Sequence, residues 1–174
     1  MDNRPNATKE YVVPAGELRV GTGFDVHRFK ESRPLILGGV TIPYKLGLDG
    51  HSDADVLVHA IMDALLGAAA LPDIGRLFPD SSDEFEGISS IILLKRVTEL
   101  LEKEGWAVIN VDSTIICQAP KLMTYIDSMR EQIAEAMNVD FSRVGVKATT
   151  TEHLGFTGRG EGIAAEAVAL IRKL

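Results

Sequence analysis

Gly21-Thr22-Gly23-Phe24-Asp25-Val26-His27 is the stretch from which the rest of the chain can be read. Side chains of an extended strand alternate between faces, so Asp25 and His27 point one way while Val26 points the other. The two glycines leave room for a second backbone to approach just before that pair. Farther on, Asp53-Ala54-Asp55-Val56-Leu57-Val58-His59-Ala60 carries a histidine in a run apolar enough to be anchored in a core. Asp25, His27 and His59 together offer one oxygen and two nitrogens, the donor set of a catalytic zinc site whose last tetrahedral position stays open. The bland alternative is a strand whose Asp and His are solvated.

The 174 residues, 45% of them hydrophobic, can bury one core, so a single compact domain is expected. A formal charge of -7 argues against nucleic-acid or anionic-membrane partners, which need a basic surface. An anionic substrate must then be held by local groups. Cys117 is the only cysteine, which excludes an intrachain disulfide and makes a reducing compartment the simpler reading. The longest apolar stretch, residues 56–71, is broken by His59 and Asp63, so neither a membrane span nor a signal peptide is expected.

Residues 1–17 carry Pro and Asn with little periodicity and read as a flexible extension, leaving 18–174 as the domain. A strand is expected over Leu18 to Phe29. Leu35-Ile36-Leu37 and Val40-Thr41-Ile42 around Gly38-Gly39 predict a hairpin with a primed turn. Ser52 and Asp53, with Asp55 three residues after Ser52, suggest a capping box for a helix to about Leu71. On it Asp55, His59 and Asp63 share a face directed into the metal cleft, while Leu57, Ile61 and Leu65 face the core. Asp63 is either a boundary carboxylate or a partner that orients a liganding His. Residues 72–87 read as a long loop, 88–104 as a helix, 106–118 as a strand, 122–137 as a helix and 143–150 as a strand. The last segment, 163–174, has the Ala content of a helix and an alternation that fits a strand.

These pieces keep a fixed order: Gly-Thr-Gly-Phe-Asp-Val-His at 21–27, His-Ser-Asp-Ala-Asp at 51–55, Asp73-Ile74-Gly75 with Leu77-Phe78-Pro79-Asp80, Gln118-Ala119-Pro120-Lys121, and Thr149-Thr150-Thr151-Glu152 with Gly155-Phe156-Thr157-Gly158-Arg159-Gly160. As an ordered set they resemble the 2-C-methyl-D-erythritol 2,4-cyclodiphosphate synthase family of the non-mevalonate isoprenoid pathway, over residues 18 to 174.

The resemblance implies an α+β fold, a mixed β-sheet with helices packed on one face and a small hairpin. It makes the last segment a strand and sets the sheets around the threefold axis of a homotrimer, with active sites between subunits. It also implies a lyase: the 2-phosphate of 4-diphosphocytidyl-2-C-methyl-D-erythritol 2-phosphate attacks the β-phosphorus of the same molecule, releasing CMP. Zinc would sit on Asp25, His27 and His59, and magnesium or manganese on Glu152. His51 and Ser52 would contact the erythritol phosphate side, and Asp73 and Gly75 the sugar-alcohol hydroxyls, with Phe78 and Asp80 nearby. Cytosine recognition would fall to Cys117, Ala119, Pro120, Lys121, Leu122 and Met123, and the pyrophosphate to Thr149 and Thr150. Phe156, Arg159 and Glu166 would line an axial cavity where an isoprenoid diphosphate can bind, its anion offsetting three copies of Arg159.

Two rivals remain open at this point. One is a zinc hydrolase acting on a phosphoester, for which Asp55 or Asp63 is the candidate base. The other is a non-catalytic trimeric module that binds a diphosphate and keeps zinc for structure. Bacterial cytoplasm is expected over plastid stroma, because the acidic, Ser-poor arm does not resemble a transit peptide.

Overall fold

β1 (Leu18–Lys30) separates its two faces by residue parity. Leu18, Val20, Phe24 and Val26 are exposed, whereas Gly21 and Gly23 abut a helix on the other face. In the computed structural model, which describes residues 14, 16–79 and 81–174, β1 pairs antiparallel with β7 (Gly162–Lys173) from Leu18↔Arg172 to Arg28↔Gly162. β7 pairs antiparallel with β5 (Trp106–Ile116), and β5 pairs parallel with β6 (Val144–Thr149). β4 (Gly47–Leu48) joins the far edge of β1, so the sheet order is β4-β1-β7-β5-β6. One parallel pair among antiparallel ones is the mixed sheet of the expected α+β fold.

α1 (Val56–Ala68) crosses β1 and β7, while α3 (Ser90–Lys103) and α4 (Ile126–Met137) extend the helical layer over β5 and β6. The glycines explain how low α1 lies. A β-carbon at Gly21 would come within 2.1 Å of the Ala64 carbonyl oxygen. Only glycine admits that approach, and Ala165, Ala167 and Ala169 on β7 are buried beside it. Leu57, Ile61 and Leu65 are fully buried, as their helical spacing predicts, each stabilising the fold by about 1.5–3 kcal/mol.

The hairpin of β2 (Leu35–Leu37) and β3 (Val40–Ile42) turns through Gly38 (φ 58°) and Gly39 (φ 75°), the primed turn expected of that pair. The start of α1 differs from expectation. Asp55, not Ser52 or Asp53, is the N-cap, because its carboxylate accepts from Val58 N (3.2 Å), Gly38 N (2.9 Å) and Gly39 N (2.7 Å). Residues 52–54 stay a turn, with Ala54 at φ 59°. α1 ends at Ala68 rather than Leu71, since Ala70 turns left-handed (φ 58°) and Leu71 N donates back to Leu66 O.

Residues 72–87 are not a bare loop: they hold α2 (Ile74–Leu77), capped by Asp73, and a 3-10 turn over Asp83–Phe85. A 3-10 turn over Met123–Tyr125 delays α4 to Ile126, and a further short helix, α5 (Gly155–Gly158), lies inside the Gly-rich turn. The ambiguous last segment is strand β7. Of the expected 1–17 extension, most lies outside the described residues. Gly16 N donates to Lys173 O and Lys173 N to Glu17 O, so pairing with β7 starts before Leu18.

Candidate metal centre and adjoining cavities

Parity on β1 and the low seat of α1 bring three donors to one point. Asp25 Oδ2 lies 2.9 Å from His59 Nδ1 and 3.0 Å from His27 Nε2, and the two imidazole nitrogens are 3.3 Å apart. An ion bonded tetrahedrally at zinc distances would hold such donors about 3.3 Å apart, so the set fits it with shifts of a few tenths of an ångström. Among the described residues this is the cluster of His, Cys, Asp and Glu suited to a metal. His27 Nδ1 is 2.6 Å from the Asp49 carbonyl, which can only accept, so a ring hydrogen sits there, and Nε2 is the nitrogen left to donate to Asp25 when protonated or to bind an ion when neutral.

Burial opposes the charge on Asp25, but hydrogen bonds and charge from His27 and His59 outweigh it and hold the carboxyl well below its usual range. Burial likewise lowers His27, and its bond to Asp25 reverses this, leaving the imidazole above its ordinary value.

The donors open into a cavity of about 210 Å³ that His51, Ser52, Gly75 and Phe78 also line. His51 Nε2 donates to the Ser82 carbonyl (3.0 Å), tying the 81–88 segment to the cavity wall. The Ser52 hydroxyl lies 3.3 Å from His59 Nε2. Phe78 packs edge-on against Phe85, with ring centres 5.4 Å apart. Asp73 is exposed and uses its carboxylate to cap α2 at Arg76 N (3.0 Å). Asp80 lies outside the described residues. Arg33 donates to the carbonyls of Gly50 and Ser52, both at 2.5 Å, and so holds the segment that carries His51 and Ser52.

Asp55 does not face the metal cleft, contrary to the helical-face expectation, whereas Asp63 is near enough for its charge to interact with Asp25 and His59. Asp55 begins the helix instead of lying on its side and is committed to the hairpin turn; burial beside Asp53 pushes its carboxyl up to about 6 despite three N–H partners. Asp63 Oδ1 accepts from Ile74 N (3.0 Å) and anchors α2 rather than orienting a histidine. The contacts to His59 come from Ser52 and from Ser90, which sequence reading missed because a Ser pair before an apolar run signals only a helix start.

A second cavity, about 550 Å³, is lined by Cys117, Pro120, Lys121, Leu122 and Met123, and by Thr149, Thr150 and Glu152. Ala119 precedes Pro120 at its edge. Thr150 Oγ1 donates to Glu152 Oε1 (2.9 Å), and Glu152 and His153 are successive left-handed residues. Burial pushes the Cys117 thiol up to about 11, so it is a neutral wall group at physiological pH. Within one chain this cavity shares no lining residue with the first.

Of the three residues assigned to an axial cavity, Glu166 and Phe156 line separate depressions and Arg159 lines neither. Glu166 faces one of about 380 Å³ on the exposed sheet face, with Phe24, Asp112 and Thr114. Phe156 lines another, about 290 Å³, with Arg28 and Glu161. Arg159 pairs with Glu161 at 2.6 Å, a carboxylate two residues away, rather than with Glu166.

The profile of the YgbB family matches residues 18–172. A Clostridium botulinum protein named 2-C-methyl-D-erythritol 2,4-cyclodiphosphate synthase is 57% identical over 154 residues, 88% of this chain and 99% of that protein. A Pelotomaculum thermopropionicum protein of the same name is 58% identical over 156 residues, 90% and 96% of the two chains. Among solved structures, the bifunctional IspDF of Campylobacter jejuni superposes with a TM-score of 0.89 at 45% identity, covering 92% of this chain and 44% of that one, so this chain spans less than half of it. The CDP complex of Plasmodium falciparum IspF gives a TM-score of 0.79 at 34% identity, covering 92% and 99%. With a profile match and such identity running through β1, α1 and the donor-bearing cavity to β7, the chain belongs to the YgbB family.

Proposed function

We propose that this protein is a lyase that converts 4-diphosphocytidyl-2-C-methyl-D-erythritol 2-phosphate into 2-C-methyl-D-erythritol 2,4-cyclodiphosphate and CMP. The observation that carries this reading is the convergence of Asp25, His27 and His59 at an open cavity in a chain so similar to synthases of that name. A 2-phosphate oxygen bonds to the β-phosphorus, and the bond from that phosphorus to the CMP oxygen breaks. The nucleophile is already an anion on the same molecule, so no general base is needed, and positioning with charge neutralisation carries the rate.

Asp25, His27 and His59 would hold zinc, which when bound would supply Lewis-acid charge to the diphosphate, and Glu152 would suit magnesium or manganese. The chain's own groups do the rest. His51, Ser52, Asp73 and Gly75, with Phe78 and Asp80, receive the erythritol end. Cys117 and the 119–123 segment receive the cytosine, and Thr149 and Thr150 give hydroxyls to the pyrophosphate.

Within one chain the two cavities share no lining residue, and a homotrimer in which the two ends of one substrate meet cavities of neighbouring subunits accommodates this. The exposed row of Leu18, Val20, Phe24 and Val26 on β1, continued by Val168, is the apolar face such packing would cover. No helix of the described residues is long and apolar enough to cross a membrane, and with bacterial relatives the bacterial cytoplasm is the compartment this reading implies. The names of the relatives do not favour the hydrolase alternative, and Asp55, one of its two candidate bases, is spent on backbone donors at the hairpin turn.

The test incubates protein loaded with zinc and magnesium with the cytidyl substrate in water labelled with heavy oxygen. CMP and an unlabelled cyclic diphosphate in equal amounts are expected. Labelled, ring-opened phosphate products would establish hydrolysis instead.

A further inference from the structure

His59 reaches the other donors through Nδ1, and its opposite nitrogen, Nε2, lies 3.0 Å from Ser90 Oγ in a buried pocket. A hydroxyl can donate or accept, so that contact alone leaves the ring free to carry its hydrogen on either nitrogen. Asp53 removes the freedom. Its Oδ1 lies 2.5 Å from Ser90 Oγ, and a carboxylate only accepts, so the Ser90 hydrogen is spent on Asp53. Ser90 Oγ then turns a lone pair to His59, and Nε2 must hold the ring hydrogen. The other tautomer would oppose two lone pairs at 3.0 Å, and its Nδ1 hydrogen, which Asp25 accepts when no ion is bound, would take the ion's place.

We propose that Ser90 and Asp53 are positioning residues that lock His59 in the Nε2–H form, so that Nδ1 presents its lone pair to the metal. The proposal rests on the metal reading above and extends it to residues outside the donor set. Ser52 cannot do the same work. Its Oγ is farther from Nε2, at 3.3 Å, and accepts from Ala54 N, which leaves its own hydrogen uncommitted.

Asp53 is held as firmly as the task requires. Its Oδ2 accepts from Ser90 N (2.9 Å), its Oδ1 also from Asp55 N (3.2 Å), and its own N–H donates to Ile88 O (3.1 Å). One carboxylate therefore satisfies the first N–H of α3 and aims the ring of α1. His27 obtains the equivalent constraint from the Asp49 carbonyl, a backbone group that substitution cannot remove. Partners of this kind, two bonds from the ion, typically change metal affinity by about 10–100-fold.

The test uses the full chain with isotope-labelled histidine. In zinc-loaded protein, nitrogen–proton correlation spectra should show the ion on Nδ1 of His59 and the ring hydrogen on Nε2. Zinc competition against a coloured chelator should show Ser90→Ala weakened about 10–100-fold, with Ser52→Ala affected less. A folded Ser90→Ala protein within about twofold of wild-type zinc affinity would overturn the proposal. So would a zinc-loaded wild-type protein with the His59 ring hydrogen on Nδ1 and the ion on Nε2, a result that needs no variant to fold. Wild-type protein that binds no zinc would overturn the metal reading itself, and this assignment with it.

Discussion

A β-carbon on Gly23 would lie 2.0 Å from the carbonyl oxygen of Ala60, the residue that follows the donor His59. The strand that carries Asp25 and His27 and the helix that carries His59 are thus set at their separation by an absent side chain. Gly23→Ala cannot be relieved by a rotamer, since the opposing atoms are backbone. It should cost about 1–3 kcal/mol in urea unfolding, and it should weaken zinc binding by moving Nδ1 of His59 away from Asp25. Unchanged zinc affinity in a folded variant would show that the helix can settle elsewhere without disturbing the donors.

His27 sets a pH dependence for metal loading. A metal needs the neutral imidazole, and Asp25 raises the folded pKa of His27, so zinc affinity should fall as pH drops through a value above the ordinary histidine range. In metal-free protein the same shift works on stability in the opposite sense. The His27 contribution is present below the unfolded pKa of 6.5 and is lost as pH rises through the higher folded value. Zinc titrations and thermal melts with and without zinc, followed across pH, check both signs.

Asp55 is the unusual case of a carboxylate raised on folding, from 3.8 to about 6. The folded chain then holds this proton more tightly than the unfolded one, so stability from this residue is greatest below the unfolded value and declines as pH rises toward the folded value. The decline should total roughly 3 kcal/mol. Unfolding free energies of wild type and Asp55→Asn, compared point by point between those two pH values, isolate it, because the amide does not titrate. Parallel curves would mean that the three N–H donors outweigh burial.

Phe24→Asp tests the exposed sheet face. Phe24 is 59% exposed and its backbone neighbour on β7 is Glu166, so the substitution leaves the monomer's core intact and adds negative charge to an already acidic surface. For the proposed homotrimer, analytical ultracentrifugation should show a shift from trimer to monomer, with the proposed synthase activity falling at least about tenfold as the subunits that would share each site part. A trimer that survives would locate the subunit contacts on another face.

Where local periodicity and tertiary packing agreed, the sequence was legible. The parity of β1, the Gly38-Gly39 turn and the core stripe Leu57, Ile61 and Leu65 all follow from neighbours within a few residues. The donor trio was readable because two of its members share one strand face. Asp55 was misread because its partners, Gly38 and Gly39, are 17 and 16 residues away. No pattern in the helix itself announces that its first carboxylate serves a distant turn. Ser90 lies 31 residues from His59, and Asp53 was visible only as a capping candidate, so their hydrogen-bond chain depends on how α3 docks. The last segment needed the sheet itself, since alanine-rich alternation is compatible with both regular structures until β1 and β5 claim its two edges.

β1 also ties two properties into one reading frame. Odd-numbered positions 25 and 27 hold the ion's donors, while even-numbered 24 and 26 carry the greasy outward row. Deleting or inserting a single residue upstream on this strand would exchange the two sets, presenting acid and imidazole to a neighbouring copy and phenyl and valine to the cleft. A change of length within these thirteen residues therefore alters the donor pair and the outward row together.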